Sequence, residues 1–495
     1  MLELLLDDGY LCNIGAFPAV SLKCAGIRFL ATCHLKKSDI EGLIKRIAYH
    51  LPYVLAAANF TFKDLAKAFK LPHFEALAKH HIIKETEGQD MVIPVLKGGI
   101  NQSYQTVVGK GKAALTVEYY PSITRIKDKK EWNQLFADQG LFDDKTLTFN
   151  EAIFSNNEAA YNNWNFLYYI IRDYQGKIVA AALFTEGLWK EDLLAPASVS
   201  KAFEEIRSTE NPNYMISKSI SLGCQAYEGQ PLYLDRTHRD WKKALDLLLT
   251  TIWEEEDRRK TEVLVFRDMD TDDKELRKFF IDKGFLSADM PNLNTLHNPK
   301  GADPEAFRAN LGAASRRHFR KDITPFVDMF EVAEVTSYTP EELDLYYDLY
   351  YNVKKVNLGM NTFPLPKKLF AKMIEEQMFD VIKIELKEAH TKSGKNEVAS
   401  FFLGKKVDAV YHGLYLGMNY DYLHSHKVYR QTLYQVVQRA IALNSDTLIL
   451  GFSADIEKRK LGAVTTAKVA FMQFKDNYKQ TVINNMGMEH LKKHY

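Results

Sequence analysis

A histidine, a tyrosine and an aspartate fall close together in Asp421-Tyr-Leu-His-Ser-His426, with Tyr422 between the acid and His426. An imidazole titrates near neutrality, so His426 with Tyr422 and Asp421 beside it has the parts of a general base for an attacking amine. A loop histidine held by a structural hydrogen bond is the plainer alternative. His424 and His426 are spaced as two metal ligands on one strand face would be. No third ligand accompanies them, and no metal is expected. Lys427, Tyr429 and Arg430 follow where a helical pattern begins, and Gly451-Phe-Ser453 ends an apolar run. A strand that ends in glycine is a place where a ligand or another backbone can approach closely.

The surrounding elements must position these groups. Residues 408–422 alternate as a half-buried strand does, and Leu433, Val436, Val437, Ala440 and Ile441 recur at helical spacing between Tyr429 and Asn444. Residues 447–453 read as a second strand, and 455–462 as a short charged hairpin. An earlier stretch repeats the pattern. Thr237-His-Arg-Asp-Trp-Lys-Lys-Ala-Leu245 lies over Ser425-His-Lys-Val-Tyr-Arg-Gln-Thr-Leu433 without a gap, and each is followed by a helix and a strand. Strands are also expected at 165–171, 177–184, 231–235, 263–266, 379–385 and 397–403, with Asp and Gly in the 172–176 turn. Strands interleaved with helices at this long period indicate two tandem mixed-sheet domains, an α/β (α+β) class, rather than a solenoid of short repeats.

The run from 402 to 462 resembles the second half of the GNAT-superfamily acyltransferases, in their Fem-like branch: a Tyr-Asp pair, an amphipathic helix, a strand ending in Gly, and a Lys-rich tail closing on Gly462. Lys274-Glu-Leu-Arg-Lys-Phe-Phe-Ile-Asp-Lys-Gly-Phe285 is similar to the back end of such a domain. The resemblance implies acyl transfer from a thioester, acyl-CoA, to a small-molecule or lipid amine. Such enzymes cradle the CoA pyrophosphate on a glycine-containing loop at a helix N-terminus. Here Arg236-Thr-His-Arg-Asp-Trp241 and His424-Ser-His-Lys-Val-Tyr429 carry no glycine. Lys427, Tyr429, Arg430, Gly451 and Ser453 are therefore the expected donor-binding set, with Arg239 as the counterpart in the first copy. Glu457, Lys458 and Lys460 lie where the Fem-like closing motif falls. Ser315-Arg-Arg-His-Phe-Arg-Lys321 is either a phosphate-binding basic helix or a solvated one joining domains. Fem-type transfer from aminoacyl-tRNA, and a non-catalytic pair that binds or scaffolds, are the alternatives.

Residues 1–49 resemble the last segment of the pyridoxal-phosphate-dependent α-oxoamine synthases, through Asp8-Gly-Tyr-Leu-Cys-Asn-Ile-Gly-Ala-Phe-Pro-Ala-Val20 and Ala25-Gly-Ile-Arg-Phe-Leu-Ala-Thr-Cys-His34. By that resemblance Arg28 would hold an amino-acid carboxylate. The family's Schiff-base lysine and cofactor domain have no counterpart here, so PLP chemistry is not expected from this chain alone. A PLP-dependent synthase is an implied partner, and lipid biosynthesis an implied setting. The expected organisation is a small αβ lobe at 1–49, a partly ordered connector at 50–115, and GNAT-like domains at 116–297 and 298–495. Gly109-Lys-Gly-Lys112 lacks the spacing of a phosphate loop and reads as a solvated turn.

Composition fits these readings. The 495 residues suffice for several domains, and a net charge of +1 gives no global field for DNA or acidic lipid. Cys12, Cys24, Cys33 and Cys224 lack metal spacing and are too few for a disulfide framework. They suit reduced thiols in a cytoplasmic protein. No run is long and apolar enough for a transmembrane span, and the first residues lack the pattern of a signal peptide.

Overall fold

β-branched and aromatic residues crowd the stretches between 104 and 474, and they form one large sheet. The computed structural model describes residues 2–10, 12–15, 26–28, 36–57, 101–297, 299 and 304–475. It divides into two compact units, Met1–Val92 and Ile93–Tyr495.

In the first unit, β1 (Asn13–Gly15) pairs antiparallel with β2 (Gly26–Arg28), setting Asn13 opposite Arg28. A helix spans Lys37–Ala57, and the Asp39 carboxylate accepts the Lys36 backbone N–H at 2.8 Å. Within the unit, His50 Nε2 lies 2.6 Å from Asp8. The helical patterns at 60–69 and 74–79, Gly98-Gly99, Cys24 and Cys33 lie outside the described residues.

The second unit is built on β3 (Tyr104–Val108), β4 (Leu115–Tyr120), β5 (Asn165–Asp173), β6 (Ile178–Lys190), β7 (Ile216–Leu222), β8 (Leu232–Leu234) and β9 (Val263–Asp270). It continues with β10 (Leu286–His297), β11 (Phe330–Glu334), β12 (Asp380–Leu386), β13 (Glu397–Val407), β14 (Val410–Met418), β15 (Thr447–Phe452) and β16 (Val464–Phe474). The order across the sheet is β11-β12-β13-β14-β15-β10-β16-β9-β7-β6-β5-β4-β3, with β8 on β6. Two joints are parallel, β7 with β9 and β14 with β15. Parallel neighbours need a crossover, and the helices Trp241–Arg259 and Val428–Ala442 provide it. These are the two helices whose starts align in sequence. Leu245, Leu248 and Ile252 bury the first, and Leu433, Val436, Val437 and Ala440 the second.

The last strands are exchanged. β10 follows β9 in sequence, yet it pairs with β15 and β16. β16 in turn pairs with β9. Each half of the sheet is thus closed by a strand from the other. Two local expectations are corrected. Residues 104–108, read as connector, form an edge strand paired to β4, with Gly109–Ala113 as its exposed turn. Of residues 455–462, read as a hairpin, Asp455–Lys460 form a helical turn, entered through Ser453 and Ala454 at positive φ.

Candidate active site

The β14–β15 ladder is short: Val410 faces Thr447, Tyr411 faces Leu448 and His412 faces Ile449, and there it stops. β14 runs on to Met418, still zipped to β13 on its other edge. β15 runs on to Phe452, zipped to β10. Two strands pulled apart from opposite sides leave a wedge. A cavity of about 310 Å³ fills it, lined by Gly413–Leu416, Leu450–Ser453 and, from the crossover helix, Tyr429, Leu433 and Val436. The Leu188–Lys190 end of β6, the loop Gln225–Glu228 after β7, and Tyr350, Val353 and Lys354 complete the wall. The last three lie on the helix Pro340–Val356. Gly417 lets that helix lie close on β14, since a Cβ there would stand 2.6 Å from the Tyr350 amide nitrogen.

Glu228 is the acid in this cavity. Gly451 has φ +73°, and a Cβ on it would stand 2.3 Å from Glu228 Oε1, so the carboxylate rests on the bare backbone at the strand end. Among the described residues no cation forms an ion pair with it. Burial raises its pKa above the ordinary carboxyl value, and Asp268 adds to the rise against Lys458 and Arg267. Asp268 is itself committed, accepting from Arg267 Nη2 at 2.9 Å and from the Gly229 N–H at 2.7 Å.

Lys458 locks the strand end. Its buried ammonium donates to the carbonyls of Phe452 at 2.7 Å and Gly451 at 3.1 Å, and burial draws its pKa down to about 8. Asn294 donates to the Gly451 carbonyl at 3.2 Å and to Asp455 at 2.9 Å. These contacts hold Ser453 (φ +63°) and Ala454 (φ +52°), two side-chain-bearing residues in the left-handed region. Consecutive residues of that kind persist only where the surroundings over-determine them.

The expected site residues divide. Tyr429, Gly451 and Ser453 line the cavity. Asp421, Tyr422, His426, Lys427 and Arg430 are not among its lining residues. Asp421 is exposed in a single 3-10 turn. The Tyr422 hydroxyl donates to Glu397, and His426 lies edge-on to the Tyr422 ring at 5.3 Å with Nδ1 2.9 Å from Ser425 Oγ. Lys427 is the left-handed residue before the helix, at φ +56°. Arg430 is held by two carboxylates, Glu457 at 2.9 Å and Asp322 at 2.9 Å, so its charge is already matched. In the basic cluster, His318 is buried beside Asp322 at 3.1 Å while Arg316, Arg317, Arg320 and Lys321 are exposed. Arg28 ends β2 in the other unit. Glu228 and Lys354 were missed by sequence reasoning. The flanking Gly223 and Gly229, both at positive φ, are the one local sign that the Glu228 loop is tightly shaped.

No protein-family model matches this chain, and no curated protein is similar to it in sequence. Solved structures similar to it include FemX, with a TM-score of 0.43 at 11% identity over 69% of this chain and 98% of that one. N-myristoyltransferase of Saccharomyces cerevisiae with bound myristoyl-CoA gives a TM-score of 0.41 at 12% identity, over 77% and 83% of the two chains. The C-terminal domain of a putative lysylphosphatidylglycerol synthetase from Agrobacterium fabrum gives 0.37 at 11%, over 72% and 97%. No comparison supports the likeness of residues 1–49 to α-oxoamine synthases. Among the described residues no helix is long and apolar enough to cross a membrane.

Proposed function

We propose that this chain is an N-acyltransferase that moves an acyl group from a thioester donor, an acyl-CoA, to an amine. One observation carries the reading: a half-buried carboxylate in no ion pair, Glu228, set against the end of β15 inside the wedge between two parted parallel strands. Beyond His412 the edge of β14 facing β15 carries N–H and C=O groups released from the ladder. An extended donor arm with amide groups can occupy such an edge as an added strand. The apolar wall, including Trp189, Leu193 and Phe452, suits the acyl chain.

In this arrangement Glu228 takes a proton from the acceptor ammonium. The freed amine attacks the thioester carbonyl, the C–N bond forms, and the tetrahedral intermediate collapses with loss of the thiolate. The proton lost by the new amide nitrogen leaves with the thiol. A carboxylate whose pKa is raised toward the working pH is a stronger base than an ordinary one, so the burial of Glu228 serves this step. Lys458 acts on Glu228 and on β15 by position. The donor-binding role passes from Lys427 and Arg430 to the strand edges, with Tyr429, Gly451 and Ser453 retained.

The test is thiol release from acyl-CoA thioesters across a panel of amines, with wild type and Glu228→Gln compared. Amine-dependent release that the variant loses supports the reading. Release that requires aminoacyl-tRNA instead would assign a Fem-type donor, and no release with any donor would favour a binding or scaffolding role. The α-oxoamine-synthase resemblance would supply a long-chain amino-ketone as acceptor and a synthase as partner, and the proposal does not depend on it.

A further inference from the structure

The cavity carries charges that its own wall leaves unmatched. At one part of that wall the charges close on themselves. Lys190 Nζ lies 2.7 Å from Glu204 and 3.3 Å from Asn361 Oδ1, and Arg207 lies 2.5 Å from Asp192. The Asn361 amide donates to Asp192 at 2.8 Å and to Glu204 at 2.7 Å. Two cations face two carboxylates, bridged by one amide. Lys354 stands next to this group, on the cavity-facing side of its helix with Tyr350 and Val353. Among the described residues no carboxylate pairs with Lys354, and no hydrogen bond holds it. It is therefore a surplus single positive charge. Elsewhere in the same cavity Glu228 forms no ion pair among the described residues; Lys458, also in the lining, acts on it through space while its ammonium is held by the Gly451 and Phe452 carbonyls.

A buried charge without a partner is costly, and the cost falls when a ligand brings the partner. With Lys458 offsetting Glu228 in charge but not touching it, a cavity with a carboxylate free to accept a hydrogen bond and, elsewhere, the Lys354 ammonium that no carboxylate offsets complements a molecule with an ammonium at one end and an anion at the other. We propose that the acyl acceptor is an amine that also bears a carboxylate, its amine meeting Glu228 and its carboxylate meeting Lys354. This rests on the acyl-transfer reading for the role of the amine end. The single surplus charge fits a carboxylate better than the multiply charged phosphates of the donor. Burial and then the neighbouring Lys190 bring the Lys354 pKa down to about 8, against the pull of Glu204 and Asp192. A bound carboxylate would raise it again.

That shift gives a readout independent of turnover. Lys354 in the intact chain is labelled with acetic anhydride near pH 8 and read by peptide mass mapping as a ratio to the chain's exposed lysines, which cancels the reagent consumed by the added amines. The added ligands are amino acids of increasing span, from leucine to ε-aminocaproate, each beside its carboxamide. At least one acid should slow labelling of Lys354 several-fold where its carboxamide does not, and the span that protects best measures the distance between the two sites. In turnover, Lys354→Gln should lower the acid-to-amide ratio of kcat/KM about tenfold, equivalent to about 1.4 kcal/mol. Equal protection by acid and carboxamide, or protection by neither, overturns the proposal. Protection by CoA alone also overturns it, by assigning the anion to the donor. If protection is found but no amine is acylated, the acyl-transfer reading fails and the zwitterion site stands.

Discussion

At the scale of single residues the site depends on what each charge has beside it. Arg430 and Glu228 are both ionisable groups near the helix and strand ends, yet Arg430 is paired with two carboxylates while among the described residues Glu228 is in no ion pair. Only the second has a charge left for chemistry. Glu228→Gln should lower kcat by a factor on the order of 10²–10⁴, the usual range for a lost general base. Donor affinity, measured by CoA titration, should change little. His426→Ala should leave turnover near wild type, because its ring packs on Tyr422 outside the cavity lining. If His426→Ala is the more damaging change, the base has been assigned to the wrong residue. The pH profile of kcat/KM should rise as Glu228 loses its proton, at a pH above the ordinary carboxyl value of 4.5, since burial raises its pKa. With a carboxylate-bearing acceptor it should fall again above pH about 8, as Lys354 loses its charge. Glu228→Gln should remove the acid limb and keep the alkaline one.

At the scale of elements, the helix Val428–Ala442 and the turn Asp455–Lys460 are joined through Arg430 and Glu457. Burial would push the Glu457 carboxyl up, but hydrogen bonds from Arg430 and Lys460 outweigh it and hold the group at about 2. Its folded pKa lies below its unfolded one, so the stabilisation is complete above pH about 4.5. It is lost as the pH falls toward 2. Arg430→Ala should therefore cost about 1.5–3 kcal/mol of stability, the scale of a hydrogen bond to a charged group, with little effect on donor binding. Thermal denaturation between pH 2 and 6 should show a flatter profile for Glu457→Gln than for wild type. Gly451→Ala should both destabilise, since φ is +73°, and displace Glu228 Oε1. Loss of activity without loss of stability there would isolate the second effect. The crossover helix and the strands on either side of it were legible because each is a contiguous run with its own period. Gly451 was legible because glycine at a strand end marks close approach. Glu228 was not, because 224–228 is an aperiodic loop and the partner that gives it meaning lies more than two hundred residues away. Lys354 was hidden by its helix, where a lysine among tyrosines and aspartates looks like an ordinary solvated position.

At the scale of the whole sheet, the aligned helices at 241 and 428 suggested two successive halves, and the strand order joins them. β16 lies between β9 and β10, and β10 between β16 and β15, so neither half completes its sheet from its own stretch of sequence. Periodicity cannot show this, since an exchanged strand has the same pattern as one that pairs at home. The wedge spans the join, with Glu228 from the first half resting on Gly451 from the second. Loss of either half's packing should then be felt by the other. Phe471 on β16 is buried and stacked on Phe280 at 4.8 Å, in the core of the first half. All five tryptophans lie between 132 and 253, so their fluorescence reports on the first half and, through Trp164, Trp189 and Trp253, on its packing against residues of the second. Pulsed hydrogen exchange on peptides of β12–β14 follows the second. In urea the two midpoints should coincide for the native chain, the signature of one cooperative transition. Phe471→Ala should cost about 3–5 kcal/mol, as deletion of a buried phenylalanine does, and should lower both midpoints together. A fall in the fluorescence midpoint alone would mean that the exchanged strand joins two halves which unfold separately, and that the wedge between them can open without unfolding either.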